Sequence, residues 1–206
     1  MHFKTICSAL AAGLMLLVGT QAFAQIAVGG GYLNATEKAK VGGVSSSLDL
    51  NGVYAGASVN FSLDAFVDGL GVAPGAYLDL LFGKQDDGWK HRDISLQVPV
   101  NFNYGYELTD DFKVFGFAGP ILHLGLIKKE SYKANGGTTT YNYYNDDYAK
   151  DLGRFNLLLG FGAGIEVSEM FQVVVGFDFG LLNMDGDSGY TYRRPTQIKI
   201  GVNYLL

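Results

Sequence analysis

Cysteine, histidine, proline and long apolar runs are all scarce in this chain, and each scarcity closes off a class of protein. Its 206 residues include one cysteine (Cys7), three histidines and four prolines. With Cys7 inside the leading apolar stretch, the rest of the chain has no disulfide to draw on and must be held by burial and backbone pairing. No cluster of Cys and His offers transition-metal spacing, so no metal or other cofactor is expected. After the first two dozen residues no apolar run approaches the ~20 residues of a spanning helix. Fifteen Lys and Arg stand against twenty Asp and Glu, a net charge of −5, which argues against a nucleic-acid partner.

The leading segment reads as an export signal. Lys4 gives a short positive start, "ICSALAAGLMLLVG" is the apolar core, and Ala22-Phe23-Ala24 has the small-x-small form that signal peptidase reads. Residues 1–24 are predicted to be a signal peptide cleaved before Gln25, leaving 25–206 as one domain. An uncleaved anchor is the alternative, but the apolar run is short for one. Cys7 lies in the middle of that run, unlike a lipoprotein's acylated cysteine.

What the chain has in abundance is glycine, 29 residues, together with aromatics, a composition suited to twisted β-structure with close strand approach. Two-residue alternation marks eight segments, roughly 26–34, 51–62, 71–83, 93–106, 112–127, 154–167, 171–183 and 195–205. Larger polar loops follow the first, third, fifth and seventh: "ATEKAKVGGVSSSLDL", "KQDDGWKHR", "KESYKANGGTTTYNYYNDDYAKD" and "DGDSGYTYRR". Tight turns, "TDD" and "SEM", follow the fourth and sixth, and "DAFVDGL" joins the second to the third. An even strand count with long loops on one side and short turns on the other predicts an all-β fold. It is an eight-stranded antiparallel up-and-down transmembrane barrel, its turns periplasmic and its loops extracellular.

Alternation alone also fits a soluble lipocalin-like barrel with its apolar face inward. The polar face decides. In "DISLQVPVNFNYGYE" one side carries Ile94, Leu96, Val98, Val100, Phe102 and Tyr104, and the other Ser95, Gln97, Asn101, Asn103 and Gly105. Small polar residues suit the cramped inside of eight strands, so the bulky face meets lipid. Outward Phe61, Tyr104, Tyr106, Phe171 and Tyr204 fall near periplasmic strand ends, and Tyr32, Phe82 and Phe155 near outer ends, as interfacial girdles do.

Within "FQVVVGFDFGLL" an ionisable Asp178 interrupts an apolar run. A charge at membrane depth must face the interior and find a partner. A seventh-to-eighth hairpin centred near residue 188 sets Asp178 opposite Lys199. The "TDD" turn sets Glu107 opposite Lys113, and "SEM" sets Glu166 opposite Gln172. Asp79, Glu107, Lys113, Arg154, Glu166, Asp178 and Lys199 are the expected polar network of a side-chain-filled lumen. A structural plug is favoured over a proton or ion path, because eight strands leave little room for a channel.

The segments "ISLQVPVNFNYGYEL" and "FKVFGFAGPILHLGL", around Val98-Pro99-Val100 and Phe117-Ala118-Gly119-Pro120, resemble the small outer-membrane barrels of Bacteroidota, described as PorT-like or OmpX/OmpA-like. The resemblance implies the barrel fold, outer-membrane insertion and surface-exposed loops, and no single activity. The chain departs from one common pattern of such barrels by ending Tyr204-Leu205-Leu206 rather than in an aromatic residue.

A non-enzymatic structural or surface-interaction role is expected. The alternatives are a rim-active lipid-modifying enzyme and an accessory part of a secretion or transport assembly. His91, Asp93 and Ser95 share parity on one strand, but neighbours two apart in a strand stand ~6–7 Å from each other, too far for a direct Ser-His-Asp relay. His123 is expected to face the lumen as a structural residue. "DGDSG" at 185–189 has turn chemistry and lacks the closing bidentate Glu of an EF-hand. The loop 130–152 concentrates Tyr141, Tyr143, Tyr144, Asp146, Asp147 and Tyr148, residue types suited to an extracellular protein or glycan partner; an extended hairpin explains the same Thr and Tyr. Outer-membrane lipid is the other expected partner, and a monomer is favoured.

Overall fold

The computed structural model describes residues 24–41, 44–84, 89–134, 137–144, 153–184 and 194–206. Nine strands are present: β1 (Ala24–Val41), β2 (Val44–Ser62), β3 (Leu70–Lys84), β4 (Lys90–Thr109), β5 (Phe112–Ala134), β6 (Gly137–Asn142), β7 (Phe155–Val167), β8 (Phe171–Gly180) and β9 (Arg194–Leu205). Every pairing is antiparallel. Eight strands form a ring in the order β1-β2-β3-β4-β5-β7-β8-β9, which β9 closes onto β1. A closed ring leaves no strand edge unpaired at membrane depth, the condition for a sheet to cross a bilayer.

The exterior is apolar. Val28, Tyr32, Phe102, Tyr104, Val173 and Ile200 stand exposed on it, while Asp79, Gln97 and Asn156 are buried inside. Phe171 pairs with Tyr204 at the periplasmic end, their rings 5.4 Å apart. Tyr32, Phe82 and Phe155 are exposed near the outer ends of their strands. The bulky stripe is therefore the lipid face, and the soluble lipocalin-like arrangement is excluded.

Two expectations need correction. The first loop is no loop over most of its length: β1 and β2 stay paired from Ala35–Leu50 up to Val41–Val44, so the hairpin projects beyond the apolar band. A transmembrane strand needs only ~9–11 residues, and β1 has 18. The segment after β5 begins as the extended hairpin that its Thr and Tyr allowed, in which β6 pairs with β5 from Lys129–Asn142 to Ala134–Gly137. The register of β8 with β9 is two residues from that expected: Asp178 faces Gln197, and Lys199 faces Gly176. A bulge at Leu126, which no sequence pattern announces, shifts the β4–β5 register, Ile94 facing Ile127 while Ser95 faces Gly125. One extra residue reverses the alternation beyond it, so Lys128 turns inward and is buried.

The periplasmic turns follow the expected pairings, Glu107 with Lys113 and Glu166 with Gln172. In the β7–β8 turn Ser168 and Glu169 both adopt left-handed backbone, at φ 53° and 54°.

Candidate functional site

The lumen is layered, polar and apolar levels alternating, rather than uniformly polar as expected. At mid-height Gln97 bridges the barrel. Its Nε2 donates to Asp79 Oδ2 at 2.5 Å and to Gln197 Oε1 at 2.7 Å, while its Oε1 accepts from Lys199 Nζ. Lys199 Nζ also lies 2.7 Å from Asp178 Oδ2, an ion pair reached diagonally across β8 and β9. Its ammonium stands 5.8 Å from the centre of the Tyr54 ring. Gly160 makes room for this pair, because a Cβ there would lie 2.6 Å from Asp178 Oδ1. The belt joins three of the expected network residues, Asp79, Asp178 and Lys199, through two glutamines not assigned to it from sequence.

The other expected members lie elsewhere. Lys113 sits at the periplasmic end, in register between Glu107 on β4 and Glu166 on β7, and Gln172 donates to Glu166 at 2.9 Å. Glu107 is exposed. Arg154 is exposed at the outer rim, its guanidinium 4.8 Å above the Tyr144 ring and donating to the Tyr144 carbonyl at 2.7 Å.

Next towards the outside comes an apolar layer. Leu33, Ala35, Leu50, Tyr54 and Leu81 form one buried cluster with Leu48 and Tyr77 packed against it. Ala35, Leu48 and Leu50 continue the inward parity of β1 and β2 into the stretch read as a loop, which is why sequence reasoning missed them, whereas Leu33, Tyr54, Tyr77 and Leu81 lie within strands it predicted. Above them Lys128 bridges Glu37 at 2.5 Å and Asp93 at 3.5 Å. Beside it His91 Nδ1 lies 3.1 Å from Glu130 Oε1. Tyr143 donates to Glu130 at 2.6 Å, and the Tyr144 hydroxyl rests against Gly125. Burial raises the Tyr144 hydroxyl to about 12, so it keeps its proton and remains a donor.

His91, Asp93 and Ser95 do share the inner face of β4, all buried. His91 is turned to Glu130 and Asp93 to Lys128, so the base is not oriented by the acid of that trio. His123 faces the lumen between Gln97 and Asn156 in register. Among the described residues no group of three His, Cys, Asp or Glu is placed to hold a metal ion. The "DGDSG" segment and Asp146, Asp147 and Tyr148 lie outside the described residues.

Of the tyrosines expected to offer a surface, Tyr143 and Tyr144 instead turn into the mouth. Tyr141 is 40% exposed and belongs to an aromatic ladder with Trp89 and Tyr132. Trp89 lies 4.6 Å from Tyr132 and 6.3 Å from Tyr141, and the two tyrosine rings are within 7° of parallel. Lys90 faces Ser131 and Glu130 faces Tyr141, so the ladder stands on the extension that β4, β5 and β6 build above the mouth.

Below the belt, the periplasmic half of the lumen holds a cavity of about 150 Å³. Phe115, Phe117, Ile121 and Val174 form apolar wall, and Ser58, Asn60, Asn101 and Asn103 polar wall. The interior is thus neither completely filled nor wholly polar.

No family model matches the chain, and no curated protein matches it. Solved structures do. Ail, the attachment invasion locus protein of Yersinia pestis, aligns over 89% of this chain and 99% of its own at 11% identity with a TM-score of 0.50. Neisserial surface protein A aligns over 88% and 96% at 12% identity and TM-score 0.42. OprG of Pseudomonas aeruginosa aligns over 90% and 97% at 13% and 0.41. At such identities the likeness is one of fold. Ring closure, an apolar exterior and that fold together make this chain a bacterial outer-membrane β-barrel.

Proposed function

We propose that the protein is a non-enzymatic cell-surface barrel that binds a glycan through its β4–β5–β6 extension. It reaches the outer membrane after residues 1–24 are cleaved before Gln25, and it sits with the PorT-like and OmpX-like small barrels of Bacteroidota. The observation that carries the binding reading is the ladder of Trp89, Tyr132 and Tyr141. Tyr132 and Tyr141 on paired strands, with Trp89 stacked against them just before β4, present a large amphipathic surface with little conformational entropy left to lose on binding. The Ail structure was solved in complex with a heparin analogue, sucrose octasulfate, which lends the reading a parallel on the same fold. The leucine cluster and the Gln97 belt support a supporting scaffold rather than a pore.

The test is glycan binding by purified barrel, comparing wild type with Trp89→Ala and Tyr141→Ala. A gel shift between boiled and unboiled samples reports that each variant is folded. Loss of binding by about tenfold or more with the shift intact is expected, since a buried aromatic anchor contributes ~1–2 kcal/mol or more. Equal binding by all three proteins, or capture of a protein ligand alone, sinks the glycan reading.

A further inference from the structure

At the outer end of the apolar band the lipid-side face of β3, β4 and β5 is cationic, in a chain whose net charge is −5. We infer that this face binds the phosphates of an outer-leaflet glycolipid.

Register brings like charges together. Lys84 on β3 lies directly opposite Lys90 on β4, and Arg92 on β4 lies directly opposite Lys129 on β5. Partners in adjacent antiparallel strands stand about 5 Å apart, and like charges so placed destabilise a sheet. Parity turns all four outward. Leu80, Phe82 and Lys84 alternate with inward Asp79 and Leu81, and Lys90 and Arg92 alternate with inward His91 and Asp93. The bulge at Leu126 does the same for Lys129, the neighbour of inward Lys128. Trp89 has the parity of His91, Tyr132 that of Lys128, and Tyr141 faces Glu130, so the ladder occupies the opposite face of the extension.

The protein supplies no counter-charge. Among the described residues none of the four cations makes an ion pair or a side-chain hydrogen bond. Asp49, the outward carboxylate on neighbouring β2, instead accepts from the Thr36 hydroxyl at 2.7 Å. A repulsion repeated at two successive levels calls for an anion from outside.

Depth identifies that anion. Arg92 is also in register with Phe82, the exposed aromatic at the outer end of β3. Arg92 and Lys129 therefore stand where hydrocarbon gives way to headgroups. Lys84 and Lys90 stand two residues, about 7 Å, further out. Directly below, Leu80, Leu124 and Leu126 are exposed to the hydrocarbon. An anion held by these cations and tied to acyl chains on these leucines is a lipid phosphate. Arg92 grips it bidentately, and each lysine acts as a point charge.

The test mixes folded barrel in nonionic detergent with bisphosphorylated lipid A or with the same lipid stripped of its phosphates. Bound lipid is counted by native mass spectrometry. Wild type is expected to hold the phosphorylated form about tenfold more tightly, the size of one charge-assisted hydrogen bond, with the difference shrinking as salt rises. Arg92→Gln/Lys129→Gln and Lys84→Gln/Lys90→Gln should each remove most of that preference and leave binding of the stripped lipid unchanged. Stability supplies a second readout. In phosphatidylcholine vesicles both double variants should unfold at higher chaotrope than wild type, because repulsion is relieved. With lipid A in the vesicles the order should reverse. Equal binding of the two lipids, a preference untouched by either double variant, or one stability order in both vesicles overturns the assignment. Displacement by millimolar inorganic phosphate overturns it too, marking a site for a free anion. So does a dimer in phosphatidylcholine vesicles that the double variants abolish, which assigns the charges to a protein partner. The boiled-against-unboiled gel shift is required of every variant, and Lys129→Gln alone replaces a double variant that does not fold.

Discussion

Asp178→Ala removes one half of the buried ion pair and leaves the other in place. Asp178 is 3% exposed, and its carboxylate lies 2.7 Å from Lys199 Nζ, whose side chain is 16% exposed. At an effective dielectric constant of 20 the bare attraction at that distance is about 6 kcal/mol, much of it offset by desolvation. Removing one partner of a buried pair strands the other and costs ~3–5 kcal/mol. Lys199 retains the Gln97 carbonyl and the Tyr54 ring, and the cavity lies beneath it, so the lower end applies. We expect Asp178→Ala to lose about 3 kcal/mol, more than a hundredfold in the folding constant. Asp178→Ala/Lys199→Met, which removes both charges, recovers most of that loss. The assay is chaotrope titration in lipid vesicles, scoring the folded fraction by the gel shift. A single-variant loss under about 1 kcal/mol, or a double variant as weak as the single one, refutes the buried-pair reasoning.

Leu33 is fully buried in the outer lumen, so Leu33→Ala should cost ~2–5 kcal/mol in the same titration, whereas outward Val202→Ala should cost under about 1 kcal/mol. Left-handed backbone costs an L-residue ~1–2 kcal/mol, so Glu169→Asn should stabilise by about 0.5–1 kcal/mol and Glu169→Val should destabilise, both read as shifts in the titration midpoint. In the β2–β3 link, hydrogen bonds from the Ser62 hydroxyl and the Gly69 amide hold the Asp64 carboxyl below its usual range. A depressed folded value means the link's stabilisation is present above the ordinary carboxylate range and lost as pH falls through the folded value. The protection factor of the Gly69 amide, corrected for intrinsic exchange, should therefore fall on acidification in wild type, and Asp64→Asn should remove that step.

Strand existence, barrel closure and the inward parity of Asp79, Asp178 and Lys199 were legible because alternation is local, and each residue carries its own face with it. Register was less so. Hairpin arithmetic across 183–195 assumed a symmetric turn and missed by two residues, yet the lysine is long enough to reach Asp178 diagonally. The bulge at Leu126 has no signature in "HLGLIKKE", and without it Lys128 is assigned to the wrong face. Glu37 was recoverable: Leu33, Ala35 and Glu37 keep one parity through the stretch treated as a loop. Gln97 was placed inward but not in the belt, since its contacts reach from β4 to β3 and across the lumen to β9, and no pairwise pattern encodes them.

These layers bear on where the chain stores its specificity. Lipid tails are as apolar as the Val, Ile and Phe that face them, so the exterior drives insertion and discriminates poorly between one strand register and the next. A slip of one residue in any strand would carry a lumen carboxylate or amide out to hydrocarbon, at ~2–4 kcal/mol for a cation such as Lys199 near the midplane. Gln97 makes that penalty collective, because it ties β4 to Asp79 on β3 and to Gln197 and Lys199 on β9. The leucines above it then close the outer half as they would a soluble core. A barrel whose register is locked from within can carry β4, β5 and β6 beyond the bilayer as paired strands, and that rigidity keeps Trp89, Tyr132 and Tyr141 in one ladder.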